Sequence, residues 1–103
     1  MSYSEQSADD YLSILGDDGQ LVDVREPWEF EADSLPEAIN LPLGDLSNRI
    51  DELDRSRRVV LLCRSGGRSA NAAELLTGCG FADVVNLTGG MLIARSTSKG
   101  TRT

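Results

Sequence analysis

The sequence predicts an α/β fold: one compact domain whose central, mostly parallel sheet carries helices on both faces. Three observations predict it. Short apolar, β-branched runs recur at Leu21-Val22-Asp23-Val24-Arg25, Val59-Val60-Leu61-Leu62 and Asp83-Val84-Val85-Asn86-Leu87, which is how strands covered on both faces read. Stretches with helical spacing lie between them, so consecutive strands are joined by crossovers rather than hairpins. With 103 residues, the chain supplies one core and not two.

The elements follow in order. Ser7 with Asp10 resembles a capping box, and Tyr11, Leu12, Ile14 and Leu15 give the apolar face of a first helix that Gly16 to Gly19 stop. In the first strand, Asp23 and Arg25 alternate with valines. Pro27 opens a short helix through Phe30. Ala38-Ile39-Asn40-Leu41-Pro42 is a brief strand closed by proline, and Gly44-Asp45 opens an amphipathic helix with Leu46, Ile50 and Leu53 on one side. The strand at 59–62 is followed by a glycine turn and by a helix through Ala70 to Leu76, ended by Thr77-Gly78-Cys79-Gly80. After the last strand come Gly89-Gly90 and Met91-Leu92-Ile93, three residues expected to bury against the sheet, the alternative being an exposed docking patch. The domain is expected to span 1–94, with 95–103 a polar, flexible tail.

Composition narrows the function. Hydrophobic residues make up 40% and charged residues 26% of the chain, as in soluble globular proteins. No apolar run is long enough to cross a membrane, and the polar start is unlike a signal peptide. Two cysteines make no disulfide framework, so the expected setting is cytoplasmic. A net charge of −7 argues against nucleic acid as a partner. The chain has no histidine, which removes Cys-His hydrolase chemistry and leaves too few ligands for a zinc site. No metal and no cofactor is implied.

The most informative segment is Cys63-Arg64-Ser65-Gly66-Gly67-Arg68-Ser69. A cysteine ending an apolar strand is, taken alone, an ordinary buried residue. The two glycines and two arginines that follow have no use in an inert core. Gly66 and Gly67 permit a reversal in which several backbone N–H groups face one point at a helix start, where the helix dipole favours an anion. A cysteine so placed is held as thiolate, its reactive form. Arg64 and Arg68 add a local positive field suited to a small anionic substrate. Cys63 is therefore the candidate nucleophile, Arg64 to Ser69 the substrate-binding loop, and Cys79 a structural residue beside helix-stop glycines.

Several segments together resemble the rhodanese family of sulfurtransferases: Asp-Val-Arg-Glu-Pro-Trp-Glu-Phe at 23–30, Ala-Ile-Asn-Leu-Pro at 38–42, the 63–69 loop, Gly-Cys-Gly-Phe at 78–81 and Val-Asn-Leu-Thr-Gly-Gly at 85–90. The resemblance runs from about Leu21 to Gly90. It implies a rhodanese-like fold and transfer of a sulfane sulfur, from thiosulfate or a similar anionic donor to cyanide, a thiol or a protein, through a persulfide on Cys63. In that reading the backbone N–H groups of 64–69 hold the thiolate, Arg64 and Arg68 attract the donor, and Ser69 either bonds the sulfur or caps the helix. Asp23 and Arg25 become a supporting charged pair, Glu26 and Glu29 pair at the surface or within the loop, and Trp28 and Phe30 pack. Four residues separate Cys63 from Arg68. Phosphatases resembling the family place five there, so phosphoryl or arsenate chemistry is the lesser enzyme reading. The 33–37 loop and the segment after Gly90 depart from the family pattern. Those departures favour the alternative, a sulfur-carrier or interaction module that serves protein partners with little thiosulfate:cyanide turnover.

Overall fold

The computed structural model describes residues 2–100, with side chains described through residue 96. Five parallel strands form one sheet in the order β1-β5-β4-β2-β3. They are β1 (Ser4–Ser7), β2 (Gln20–Asp23), β3 (Ala38–Asn40), β4 (Val59–Leu62) and β5 (Val84–Thr88). Five α-helices accompany them among the described residues: α1 (Tyr11–Leu15), α2 (Pro27–Ala32), α3 (Leu46–Arg49), α4 (Gly67–Gly78) and α5 (Gly90–Gly100). The α/β architecture expected from the sequence is the one found.

The alternation of side chains along the strands divides the core in two. Val59 and Leu61 of β4 face a cluster containing Leu46, Ala72, Ala73 and Leu76 from α3 and α4. Val60 and Leu62 face the opposite cluster, with Tyr11, Ile14 and Leu15 from α1 and Met91 and Ala94 from α5. All four β4 residues are buried because the strand is covered on both sides. Removing the side chain of Leu76 from such a core costs about 2–5 kcal/mol. The same alternation decides where the next residue goes. Cys63 continues the Val59–Leu61 side and joins the α4 cluster.

Some elements differ from the sequence reading. β1 is a strand where none was expected. Its residues Ser-Glu-Gln-Ser are all exposed at the sheet edge, so no apolar alternation marks it. Ser7 accepts a hydrogen bond from the Asp9 amide at 3.4 Å and caps a short 3₁₀ turn that precedes α1. The helix expected from Gly44 is a single α-turn with 3₁₀ turns at Leu43–Asp45 and Ile50–Glu52. Of Met91, Leu92 and Ile93, only Met91 is buried, at 6% exposure, and Leu92 stands out at 57%. A helix can turn only part of its circumference to the sheet, so Met91 and Ala94, three residues apart, take the inner face. α5 continues through the domain boundary expected after Ala94, and Arg95 pairs with Asp33. The rest of the expected tail, residues 101–103, lies outside the described residues.

Candidate active site around Cys63

Cys63 stands at the C-terminal end of β4, and α4 begins four residues later at Gly67. Gly66 makes the reversal between them, with φ of 116°, a conformation that an L-residue adopts only under strain. Its amide donates to Cys63 Sγ at 3.0 Å. Ser69, in the first turn of α4, brings its hydroxyl to 3.4 Å from the same sulfur. Cys63 is 1% exposed, so the sulfur lies at the floor of the loop. Burial pushes the thiol up, but the Ser69 hydroxyl and the backbone amides of Ser69, Gly66 and Ser65 outweigh it and hold the thiol below the ordinary cysteine range. A ring of donors favours the charged form even in a buried place.

The two arginines of the loop differ. Arg68 gives Nη1 to Glu29 Oε1 at 2.7 Å and Nη2 to Oε2 at 3.1 Å. Its charge is matched, whereas both arginines were expected to face the donor. Arg64 is exposed and has no ion pair among the described residues. Ser69 is not the helix cap, because that place belongs to Gly66. Of its two expected roles, contact with the sulfur is the one seen.

Asp23 and Arg25 form a pair with side-chain exposures of 0% and 8%. Arg25 Nε lies 3.0 Å and Nη2 2.8 Å from the Asp23 carboxylate. Nη2 also donates to the Asp33 carbonyl at 2.7 Å, which ties the end of β2 to the end of α2. Asn40 donates to the carbonyls of Asp23 and Arg25, at 3.0 Å each. α2 in turn carries Glu29 to the loop, so the pair holds the segment that meets Arg68. Trp28, expected to pack, is 71% exposed. It lines a cavity of about 410 Å³ together with Arg64, Glu29 and Leu92. Six residues of helix cannot bury every apolar side chain, and α2 buries none fully. Cys79 is exposed and unpaired to Cys63. It is the C-cap of α4, with its carbonyl accepting from Arg55 at 3.0 Å.

Two parts of the site escaped the sequence reading. Amides after Gly90 bond the carbonyls of the loop from behind: Met91 to Cys63 at 2.8 Å and Leu92 to Arg64 at 3.2 Å. Gly90 has φ of 51°, and a Cβ there would collide with the carbonyl oxygens of Cys63 and Arg64. The adjacent glycines were the available signal. Asn86, 1% exposed on β5, touches both Ser69 and Gly66. A buried amide inside an apolar strand demands partners, and that was its signal.

The chain that builds this strand–loop–helix junction matches the family model of the rhodanese-like domain over residues 7–92. The chain belongs to the rhodanese-like domain family. The thiosulfate sulfurtransferase GlpE of Pseudomonas syringae pv. syringae is 38% identical over 77 residues, covering 75% of this chain and 73% of that protein. A sulfurtransferase of Allochromatium vinosum is 40% identical over 76 residues, covering 74% and 71%. Among solved structures, a rhodanese-like domain protein of Staphylococcus aureus superposes with a TM-score of 0.81 at 27% identity, covering 88% of this chain and 90% of that one. No helix among the described residues is long and apolar enough to cross a membrane.

Proposed function

We propose that this rhodanese-like domain is a sulfurtransferase that carries sulfane sulfur on Cys63, with thiosulfate as a donor. The observation that carries this reading is the set of donors around Sγ, with the Gly66 amide at 3.0 Å and the Ser69 hydroxyl at 3.4 Å. They favour a thiolate without an imidazole base, and the chain has no histidine.

In the first half-reaction the Cys63 thiolate attacks the outer sulfur of thiosulfate. A new S–S bond forms, the S–S bond of thiosulfate breaks, and sulfite leaves with the bonding pair. The leaving anion takes no proton, so no general acid is required. The same amide donors then hold the anionic terminal sulfur of the persulfide. In the second half-reaction an acceptor such as cyanide or a thiolate attacks that terminal sulfur, and Cys63 leaves as thiolate. Arg64, with no ion pair among the described residues, supplies the field that draws the dianion in. Arg68 and Glu29 hold α2 to the loop, and Asp23 with Arg25 hold the segment behind them.

Intact-protein mass spectrometry after brief exposure to thiosulfate tests the reading. The expected result is a gain of one sulfur atom on the wild type, absent from Cys63→Ser and removed by cyanide. A wild type that gains no sulfur from thiosulfate or from polysulfide overturns it. Sulfur that loads but leaves only slowly to cyanide identifies a carrier that serves a protein acceptor.

A further inference from the structure

Asn86 is a buried polar side chain that none of the steps above employs. Its Nδ2 donates to Glu5 Oε2 of β1 at 3.0 Å and to the Gly66 carbonyl at 3.2 Å. A carboxylate and a carbonyl only accept, so the orientation of the amide is fixed and Oδ1 faces Ser69. The Ser69 hydroxyl donates to that oxygen. It also lies 3.2 Å from the Gly66 carbonyl and 3.4 Å from Cys63 Sγ. One hydroxyl hydrogen thus has three acceptors within reach, and it serves only one of them well.

We propose that Asn86, oriented by Glu5, sets the direction of the Ser69 hydroxyl and thereby controls how readily Cys63 gives up its proton. The proposal rests on the reading of Cys63 as the nucleophile. While Cys63 is a thiol, its S–H points to Ser69 Oγ and the Ser69 hydrogen points to Asn86. When the thiol proton leaves to solvent, the sulfur becomes an acceptor only. The Ser69 hydrogen then turns to the sulfur, and Asn86 Oδ1 is left facing an oxygen with no hydrogen between them. No proton passes along the chain, because a single hydroxyl hydrogen only turns. Ionisation gains one hydrogen bond, from Ser69 to the charged sulfur, and gives up two, from S–H to Ser69 Oγ and from Ser69 to Asn86, so Ser69 stabilises the thiolate less than an uncontested hydroxyl would. That moderation has a chemical use, since a thiolate loses nucleophilicity as it becomes more acidic.

The charged groups around the sulfur are Arg68 on α4, neutralised by Glu29 of α2; Arg64 on the loop; the Asp23–Arg25 pair at the end of β2; and Glu5 behind Asn86. The first turn of α5 carries none. All except Glu5 stay in place in the variants that follow.

The test is the pH dependence of thiolate absorbance in a Cys79→Ser background, compared among the parent, Asn86→Leu, Ser69→Ala and the double variant. Asn86→Leu is expected to move the midpoint to lower pH, raising the thiolate fraction below it by about tenfold, the equivalent of one hydrogen bond to a charge. Ser69→Ala is expected to move the midpoint to higher pH. The double variant is expected to match Ser69→Ala, because Asn86 acts only through that hydroxyl. A rise in the midpoint for Asn86→Leu, or an unchanged downward shift without Ser69, overturns the proposal.

Glu5→Gln, on an exposed edge strand, repeats the cycle without disturbing the core. It allows the Asn86 amide to turn over, so a smaller downward shift is expected that vanishes in Ser69→Ala. A shift that survives there is a plain charge effect and overturns the relay. None of these measurements uses a sulfur donor, so failure of thiosulfate to load Cys63 and failure of the relay are separate results.

Discussion

Arg68 and Glu29 meet end to end, with Nη1–Oε1 at 2.7 Å and Nη2–Oε2 at 3.1 Å, so one of the two arginines of the sulfur loop is neutralised by the helix in front of it. The Arg68 hydrogen bonds hold the Glu29 carboxyl at about 2, against 4.5 for a free side chain. Burial opposes that shift, while the Glu26 backbone and the charges of Arg68 and Arg25 assist it.

A stability that depends on pH follows. The folded-state value of Glu29 is depressed, so the pair contributes fully above 4.5 and is lost as pH falls toward about 2. Urea unfolding of the wild type and of Glu29→Gln, followed by circular dichroism, is expected to show the wild type more stable at neutral pH. The gap narrows below pH 4.5 and closes near 2. A gap that is constant across this range removes the pair from the stability of the fold.

Arg64 separates from Arg68 on the same ground. Arg64→Ala is expected to slow persulfide loading by thiosulfate roughly fivefold at low ionic strength, the equivalent of about 1 kcal/mol for one exposed charge near the sulfur. Added salt shrinks the difference, because exposed charges are screened over about 10 Å at 0.1 M. Arg68→Ala instead frees Glu29 and shows its effect first in unfolding. Stopped-flow loading rates against salt for both variants check this. An Arg64→Ala rate equal to the wild type's leaves the amides alone to attract the donor.

Two glycines of the site give opposite expectations. Gly90→Ala puts a Cβ against the Cys63 and Arg64 carbonyl oxygens at φ of 51°. It is expected to destabilise by about 2 kcal/mol, which lowers Tm by roughly 8–16 °C in a domain this size. Gly67 opens α4 with nothing within 4 Å of a Cβ there. Gly67→Ala is expected to be neutral or to stabilise by about 0.5 kcal/mol, since the residue already has helical geometry. Calorimetry on both variants is sufficient. Equal losses would mean that the collision at Gly90 is relieved by movement of the loop.

How much of this was legible depended on whether the signal was local. The strand Val59–Leu62 and the cysteine, glycines and arginines after it lie in one continuous segment, and each residue type states its reason. The side of the sheet that Cys63 takes follows from counting two residues on from Leu61. β1 was silent because an exposed edge strand needs only backbone pairing, and the partner of Ser4 to Ser7 is β5, some eighty residues away. The match of Glu29 to Arg68 was equally hidden. Charges 39 residues apart meet only once α2 is folded over the loop. Trp28 misled because aromatic residues usually find cover, and a six-residue helix over an open cavity gives it none.

The pair of Asp23 and Arg25 supplies the last expectation, and its sign depends on which partner is removed. Both side chains are buried, and Arg25 also holds the Asp33 carbonyl. Asp23→Leu alone leaves a buried guanidinium without its carboxylate, which is expected to cost about 3–5 kcal/mol. Arg25→Met alone strands the carboxylate at a similar cost. The double variant removes both charges together and is expected to lose distinctly less than the sum, because neither charge is left uncompensated. Urea unfolding of the three variants measures this coupling. Persulfide loading in the double variant adds a second reading. If the pair serves to hold α2 in place, loading slows as Glu29 loses its register with Arg68, even where stability has recovered. Additive losses in the unfolding cycle would instead assign the stability to the bonds each side chain makes with the main chain, Arg25 to the Asp33 carbonyl and Asp23 to the Arg25 amide, with the ion pair contributing nothing of its own.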